Sequence, residues 1–366
     1  MDQDQKQVPK YLQLKQEILS WLHSGQLLPD ERMPSEHEVA GRYGMSRQTV
    51  RQTFGELEKE GWLYRVQGKG TFVSAPKPKA TQDIQNVGMM TTYISDYIFP
   101  HIVRGVEASL RAGGYSLMLS STDNDKEKER ESLAMMLGQP LAGLIIEPTK
   151  SAQGNPNLSY YLSLFVRRIP FVMINERYPE IDCPCVKVDD EAGGFAATEH
   201  LFKLGHRQIA GFFKTDDLQG ANRLRGFVRA HRRYDCPLLP DRAVVYATEE
   251  KAAKPLEAAL ALLGRADRPT AFVCYNDELA VKLIDAARQA GFSVPGDLSV
   301  VGFDDSALAT AGEVKLTTVA HPKTEMGTKA AELLLHMIEH PSSATPADIV
   351  YEPRLIIRDS TAGILS

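Results

Sequence analysis

The chain has 366 residues, 43% of them apolar, and a formal net charge of −5. That length exceeds one ordinary domain and predicts two or three, each able to bury a full core. No run of 18 apolar residues occurs and the opening MDQDQKQVPK is polar, so neither a membrane-spanning helix nor a secretory signal is expected, and the expected location is cytoplasmic.

The first predicted element is a helix over Pro9 to Ser24, with Tyr11, Leu14, Ile18, Trp21 and Leu22 on one face and Gly25 to end it. The stretch from Pro34 to Gly70 organises the rest of this region. Ser35-x-x-Glu38 is a capping box that starts a short helix running to about Tyr43. Gly44 supplies a turn, and Ser46 starts a second helix with Val50, Phe54 and Leu57 as its apolar stripe. Arg47, Gln48, Arg51 and Gln52 lie elsewhere on that helix, and WLYRV, QGKG and TFV read as two strands around a Gly-rich tip. Two helices joined by a short Gly-containing turn and followed by such a hairpin predict a winged helix-turn-helix. Units of this kind also occur in domains that only hold proteins together. The long donors favour DNA, because Arg grips guanine bidentately and Gln pairs with adenine.

Charge is the one signal against that reading. Residues 1–75 hold ten Lys+Arg and ten Asp+Glu. The cations Arg42, Arg47, Arg51, Arg65 and Lys69 nevertheless cluster on the helix pair and wing, while Glu56, Glu58 and Glu60 fall at the far end. Attraction to phosphate is local at a Debye length of roughly 8 Å, so modest non-specific binding is expected.

The stretch from about Val8 to Ser74 resembles the DNA-binding domain of the gluconate-repressor (GntR) family. The resemblance rests on P-K-Y at Pro9–Tyr11, L-P-x-x-x-x-x-P-S-E at Leu28–Glu36, M-S-R-x-T-V-R at Met45–Arg51 and Q-G-K-G-T-F-V at Gln67–Val73. It implies base readout from the second helix and a wing in the minor groove. Residue by residue, it points to Glu36, Arg47, Thr49, Arg51, Gln67 and Gly68 as DNA contacts, with Lys69 beside them at the wing tip.

Residues 76–83, polar and Pro-containing, read as a linker between a 1–75 DNA-binding domain and an 84–366 domain. Beyond it short apolar runs alternate with helical stretches: NVGMM, YSLMLSS, LAGLIIE, PFVMIN, IAGFF, AVVYA, TAFVCYN and LSVVGFDD are buried-strand candidates. Strands alternating with helices predict parallel α/β sheets, and about 280 residues accommodate two. Ligands in such folds bind beyond the carboxyl ends of strands, where Glu147, Asn175, Asn276-Asp277 and Asp304-Asp305 stand. Each alone could merely cap a helix. Together, with Tyr93, Tyr97 and Phe99 to stack on an apolar face, they suit a polyhydroxylated ligand. The four cysteines, Cys183, Cys185, Cys236 and Cys274, have no zinc-clip spacing, so reduced thiols and neither metal nor cofactor are expected.

Residues from about Asn86 to Ala362 resemble the effector domain of the lactose/galactose-repressor (LacI) family, itself similar to periplasmic sugar-binding proteins. The matching segments include VDDEAGGFAATEHLFKLGHRQIAGF at Val188–Phe213, NRLRGF at Asn222–Phe227, AFVCYNDELA at Ala271–Ala280 and VPGDLSVVGFDDS at Val294–Ser306. By motif, Arg223, Asn276 and Asp304 fall on effector-contact positions. Glu147 and Asn175 match by place after their strands, and Tyr93 and Tyr97 lie in a neighbouring loop. Members of that family begin with their own helix-turn-helix and hinge helix, whereas the front end here is of the gluconate-repressor type. The combination resembles the chimeric repressors of Gram-positive bacteria. It implies a multidomain protein, a winged helix-turn-helix followed by a two-lobed periplasmic-binding-protein-like α/β domain. That domain would also dimerise the chain on a palindromic DNA operator and take a sugar effector, L-arabinose. Another pentose or a nucleoside remains an alternative effector. An enzyme is disfavoured: no nucleophile, metal set or phosphate loop accompanies Asp189-Asp190 or Asp304-Asp305.

Overall fold

The first unit, ending at Asp83, holds α1 (Lys10–His23), α2 (Glu36–Tyr43), α3 (Arg47–Lys59), β1 (Leu63–Val66) and β2 (Gly70–Val73). The computed structural model describes residues 9–23, 27, 30–74 and 85–364. The predicted linker at 76–83 lies outside them, as do Leu28 and Pro29. The capping box forms as read: Glu38 N donates to Ser35 Oγ at 3.3 Å and Ser35 N to Glu38 Oε2 at 2.7 Å. Gly44 ends α2 at φ 60°, a left-handed conformation that a residue with Cβ adopts at a cost. Ser46 Oγ then accepts from Thr49 N at 3.1 Å and starts α3. Leu14, Ile18, Val39, Val50, Phe54, Leu57 and Leu63 form one core beneath the three helices. β1 and β2 pair antiparallel from Leu63↔Val73 to Val66↔Gly70. Lys69 N donates to Val66 O at 3.0 Å with Gly68 at φ 77°, the geometry of a type II turn.

The second unit begins at Ile84 and contains two six-stranded sheets. The first lobe is built by β3 (Asn86–Thr91), α4 (Phe99–Ala112), β4 (Ser116–Ser121), α5 (Lys126–Leu137), β5 (Leu141–Ile146), α6 (Leu158–Val166), β6 (Phe171–Ile174) and β7 (Cys185–Val188). The second lobe comprises α7 (Asp190–Lys203), β8 (Ile209–Lys214), α8 (Leu218–Arg233), β9 (Ala243–Tyr246), α9 (Lys254–Leu263), β10 (Ala271–Cys274), α10 (Asp277–Gln289), β11 (Ser299–Asp304), α11 (Leu308–Ala311) and β12 (Thr317–Ala320). The chain returns to the first lobe through α12 (Lys323–Glu339) and β13 (Ile349–Tyr351), and ends in the second with β14 (Leu355–Ile356). Strand orders are β13-β7-β6-β5-β3-β4 and β14-β12-β11-β10-β8-β9, parallel except for β14. Three crossovers therefore join the lobes, after β7, β12 and β13. All eight strand candidates of the sequence are strands, while β7, β12, β13 and β14 were not among them. These four run only two to four residues.

Helices cover each sheet closely. A Cβ on Gly194 would meet Arg223 O at 2.2 Å, and one on Gly226 would meet Glu191 O at 2.1 Å. Only glycine lets α7 and α8 touch backbone to backbone, and that contact sets where Arg223 enters the fold. No described helix is long and apolar enough to cross a membrane.

Candidate functional site

The first unit presents α3 and the wing. Its stripe of Val50, Phe54 and Leu57 is buried, which turns Arg47, Gln48 and Arg51 outward; all three are exposed, as are Gln67, Gly68 and Lys69 at the tip. Thr49 is half-buried, its hydroxyl 2.8 Å from Ser46 Oγ, so it braces the helix start. Glu36 occupies a place the sequence did not suggest. Its Oε2 accepts from Arg51 Nε and Nη2 at 3.2 and 3.1 Å, and its Oε1 from Arg65 Nη2 at 3.5 Å. An acid between a reading-helix arginine and a wing arginine fixes their heads relative to one another. This face can offer donors to base edges and to phosphate.

In the second unit the carboxyl ends of strands from both sheets converge on a cavity of about 450 Å³. All seven effector residues expected from the sequence line it: Tyr93, Tyr97, Glu147, Asn175, Arg223, Asn276 and Asp304. Thr92 N and Oγ1 donate to Glu147 Oε2 at 2.8 and 2.7 Å, and Asn175 Nδ2 donates to Oε1 at 2.6 Å. Burial raises the Glu147 pKa, and these donors oppose the rise. Asn276 caps α10 by accepting from Leu279 N at 2.9 Å. Arg223 is 2% exposed. Its Nε donates to Asp190 Oδ1 at 2.8 Å, Nη1 to Tyr275 O at 2.6 Å and Nη2 to Asp304 Oδ1 at 3.4 Å. The guanidinium also lies 3.6 Å from the Phe303 ring centroid. Most of its donors are thus engaged within the fold rather than held free for a ligand.

Tyr97 also differs from the stacking surface expected. It enters by its hydroxyl, which donates to Asp304 Oδ2 at 2.7 Å, lies 3.0 Å from Phe303 O and accepts from Asp277 N at 3.1 Å. Tyr93 does offer a ring face, with Lys251 Nζ 5.2 Å from its centroid and Phe99 edge-on at 5.6 Å. Between the lobes, Asn124 Nδ2 donates to Thr248 Oγ1 at 2.6 Å, Leu218 N donates to Ser151 Oγ at 2.8 Å, and Lys150 pairs with Glu249. The lobes are closed over the cavity.

Sequence reasoning missed Lys214, Asp217 and Tyr275, which line the same space. Lys214 Nζ pairs with Asp217 Oδ2 at 2.9 Å, and Tyr275 OH donates to that oxygen at 2.9 Å. Their signal was present: Lys214-Thr-Asp-Asp217 follows the apolar run IAGFF, as Asn276-Asp277 follows AFVCY. Of the aspartate pairs, Asp304 faces the cavity while Asp305 binds Arg358 Nη2 at 2.6 Å. The four cysteines are free, and no cluster of three or more His, Cys, Asp or Glu among the described residues could hold a metal.

Two family models match the chain. The model for bacterial regulatory proteins of the gntR family matches residues 10–73, and that for the periplasmic binding protein-like domain matches residues 198–361. The arabinose metabolism transcriptional repressor of Geobacillus stearothermophilus is 63% identical over 362 residues, 98% of this chain and 100% of that protein. Its counterpart from Halalkalibacterium halodurans is 48% identical over 362 residues, 96% of each chain. A LacI family transcriptional regulator from Enterococcus faecium, solved with bound ribose, superposes with a TM-score of 0.66 at 27% identity, covering 77% of this chain and 100% of that one. The chain is a transcriptional regulator and not an enzyme. It belongs to the family of arabinose metabolism transcriptional repressors, which join a gntR-type DNA-binding domain to a periplasmic-binding-protein-like domain.

Proposed function

We propose that this repressor binds a palindromic operator as a cytoplasmic homodimer and is released when L-arabinose occupies the cavity of its second unit. Residues 1–75 would read DNA, 76–83 link, and 84–366 bind sugar and dimerise. One winged helix reads a half-site, so a palindrome calls for two subunits. On the DNA side, Arg47, Arg51, Gln67 and Lys69 supply the donors, Gly68 the close backbone approach, and Glu36 and Thr49 hold the reading helix.

The observation that carries the sugar assignment is the convergence of Glu147, Asn175, Lys214, Asp217, Arg223 and Asp304 on one closed cavity of about 450 Å³. That volume lies in the small-molecule range. Alternating acceptors and donors around an aromatic face match a ring bearing several hydroxyls, and a buried hydroxyl without a partner costs about 1–3 kcal/mol. The ribose in the Enterococcus regulator and the names of the two close relatives support a pentose. Calorimetry against a panel of pentoses, hexoses and nucleosides, with operator gel shifts at fixed salt, tests the reading. L-arabinose should bind and release the DNA. A different sugar or a nucleoside doing both in its place would overturn the effector.

A further inference from the structure

His321 belongs to neither the motif set nor the cavity lining, yet it is 4% exposed and stands at the second crossover, between β12 and α12. Backbone bonds tie the three crossovers together: Asp189 N donates to Tyr351 O at 3.0 Å and Ala320 N to Arg354 O at 2.8 Å. Beyond His321, α12 is locked to α4 of the first lobe. A Cβ on Gly327 would meet Ile102 O at 2.1 Å, and one on Gly105 would meet Thr324 O at 2.2 Å. At this crossover, rotation between lobes must therefore be taken up by backbone torsions around His321-Pro-Lys323.

The side chains flanking Pro322 reach opposite halves of the cavity. His321 Nε2 lies 3.1 Å from Asn175 Oδ1 in the first lobe. Lys323 Nζ donates to Asp304 O at 2.8 Å and Asp305 O at 2.7 Å in the second. The polarity of the first contact is fixed from the cavity outward. Thr92 saturates Glu147 Oε2, so Glu147 Oε1 accepts from Asn175 Nδ2. That turns Asn175 Oδ1 toward His321, and Nε2 must carry the proton. Burial pushes His321 down to about 4, with Asp304 opposing and Arg223 and Lys323 adding to the fall, so the ring is neutral near pH 7. Its Nδ1 is then a bare acceptor, without a partner among the described residues.

We infer that Glu147, Asn175 and His321 form a relay through which an occupied cavity sets the crossover, and that His321 is a positioning residue for effector release. The inference rests on the sugar-release reading above. A hydroxyl bonded to Glu147 and Asn175 holds the amide in the orientation that receives Nε2–H. Opening the lobes would separate His321 Nε2 from Asn175 Oδ1 and hand both groups to water. Sugar binding and crossover geometry are thereby coupled through groups that differ between the two states, as a switch requires. Lys323 performs the matching task on the other lobe.

The test measures operator affinity by fluorescence anisotropy with and without saturating L-arabinose, or the panel sugar that calorimetry shows to bind. Couplings of this kind are typically about 5–150-fold. In H321L, sugar-free operator affinity should stay within about twofold of wild type, while the fall at saturating sugar shrinks about tenfold or to nothing. H321Q keeps an N–H donor of similar reach and should restore most of the fall. H321L released to the wild-type extent at saturating sugar would overturn the relay. Should H321L lose its cooperative melting transition, K323M on a half-buried side chain carries the same expectation, and wild-type release there would equally overturn it. A wild-type chain that no sugar releases would instead refute the sugar-release reading itself.

Discussion

Tyr97→Phe removes one oxygen and keeps the ring. That oxygen belongs to the first lobe, and its three partners, Asp304 Oδ2, Phe303 O and Asp277 N, belong to the second. In the closed state the variant leaves a buried N–H and one side of a buried carboxylate unpaired, at a cost of about 1–3 kcal/mol. With the lobes apart, water serves the same groups and the cost vanishes. The perturbation therefore falls on the closed state alone. A ligand that requires closure should bind about 5–150-fold more weakly, the same energy expressed as a ratio. Operator affinity without sugar should hold or rise, because the variant disfavours only the closed arrangement that sugar favours. Calorimetry with L-arabinose and an operator gel shift on the same preparation read both quantities. Sugar binding within twofold of wild type would refute the bridge. A lower melting temperature together with lost operator binding would show that Tyr97 only braces its loop.

Exposed donors and buried acids give two further expected outcomes. Arg47→Ala should weaken operator binding by about 1–3 kcal/mol if it grips a base bidentately, and Gln67→Ala should weaken it too; gel shifts at fixed salt with neither variant altered would remove α3 and the wing as the reading surface. Asp277 is pushed up to about 7, by burial first and then by Asp304. A carboxyl whose folded pKa lies above its unfolded value binds its proton more tightly when folded, so this group costs stability as pH rises from about 4 to 7. Asn mimics the protonated acid, accepting from Ser306 N and donating to Thr318 Oγ1 where Asp277 now bonds them at 2.7 and 2.6 Å. Melting temperature in Asp277→Asn should accordingly fall less between pH 5 and 7.5 than in wild type. An unchanged slope would locate the titration elsewhere.

What could be read from the sequence was what is local along the chain. Ser35 and Glu38 cap one another three residues apart, Gly44 ends its own helix, and Gln67–Lys69 closes a turn on Val66; each is decided by neighbours. Glu147, Asn175 and Asp304 stood out because a polar residue ends an apolar run, which in a parallel sheet puts it at the ligand end. The roles hidden from sequence depend on distant partners. Tyr97 meets Asp304 207 positions away, and His321 meets Asn175 146 positions away. Nothing near either residue marks a bridge between lobes. β7 and β13 pair as Ile349↔Val186 to Tyr351↔Val188, and segments of three or four residues carry too few side chains to show a period. Asp217 was overlooked for another reason. One of its oxygens caps α8 through Gly220 N at 2.7 Å while the other serves Lys214 and Tyr275, and the capping role alone accounts for an Asp at that place.

The cavity holds its polar groups largely paired with one another. Arg223 is spent on Asp190, Tyr275 and Asp304, and Asp304 on Tyr97 as well. A sugar gains little by meeting such groups unless it fits among bonds that also hold the lobes together. Its affinity therefore cannot be the same for the open and closed arrangements, and a ligand with equal affinity for both would shift nothing. Thermodynamic linkage then makes the relation mutual: if saturating sugar lowers operator affinity by some factor, saturating operator must lower sugar affinity by that factor. Calorimetric titration of L-arabinose into the free protein and into its operator complex measures the second quantity, and anisotropy measures the first. The two ratios should agree within error, and both should shrink together in Tyr97→Phe. Ratios that stay at the wild-type value in Tyr97→Phe would mean that release proceeds by some route other than closure of the two lobes.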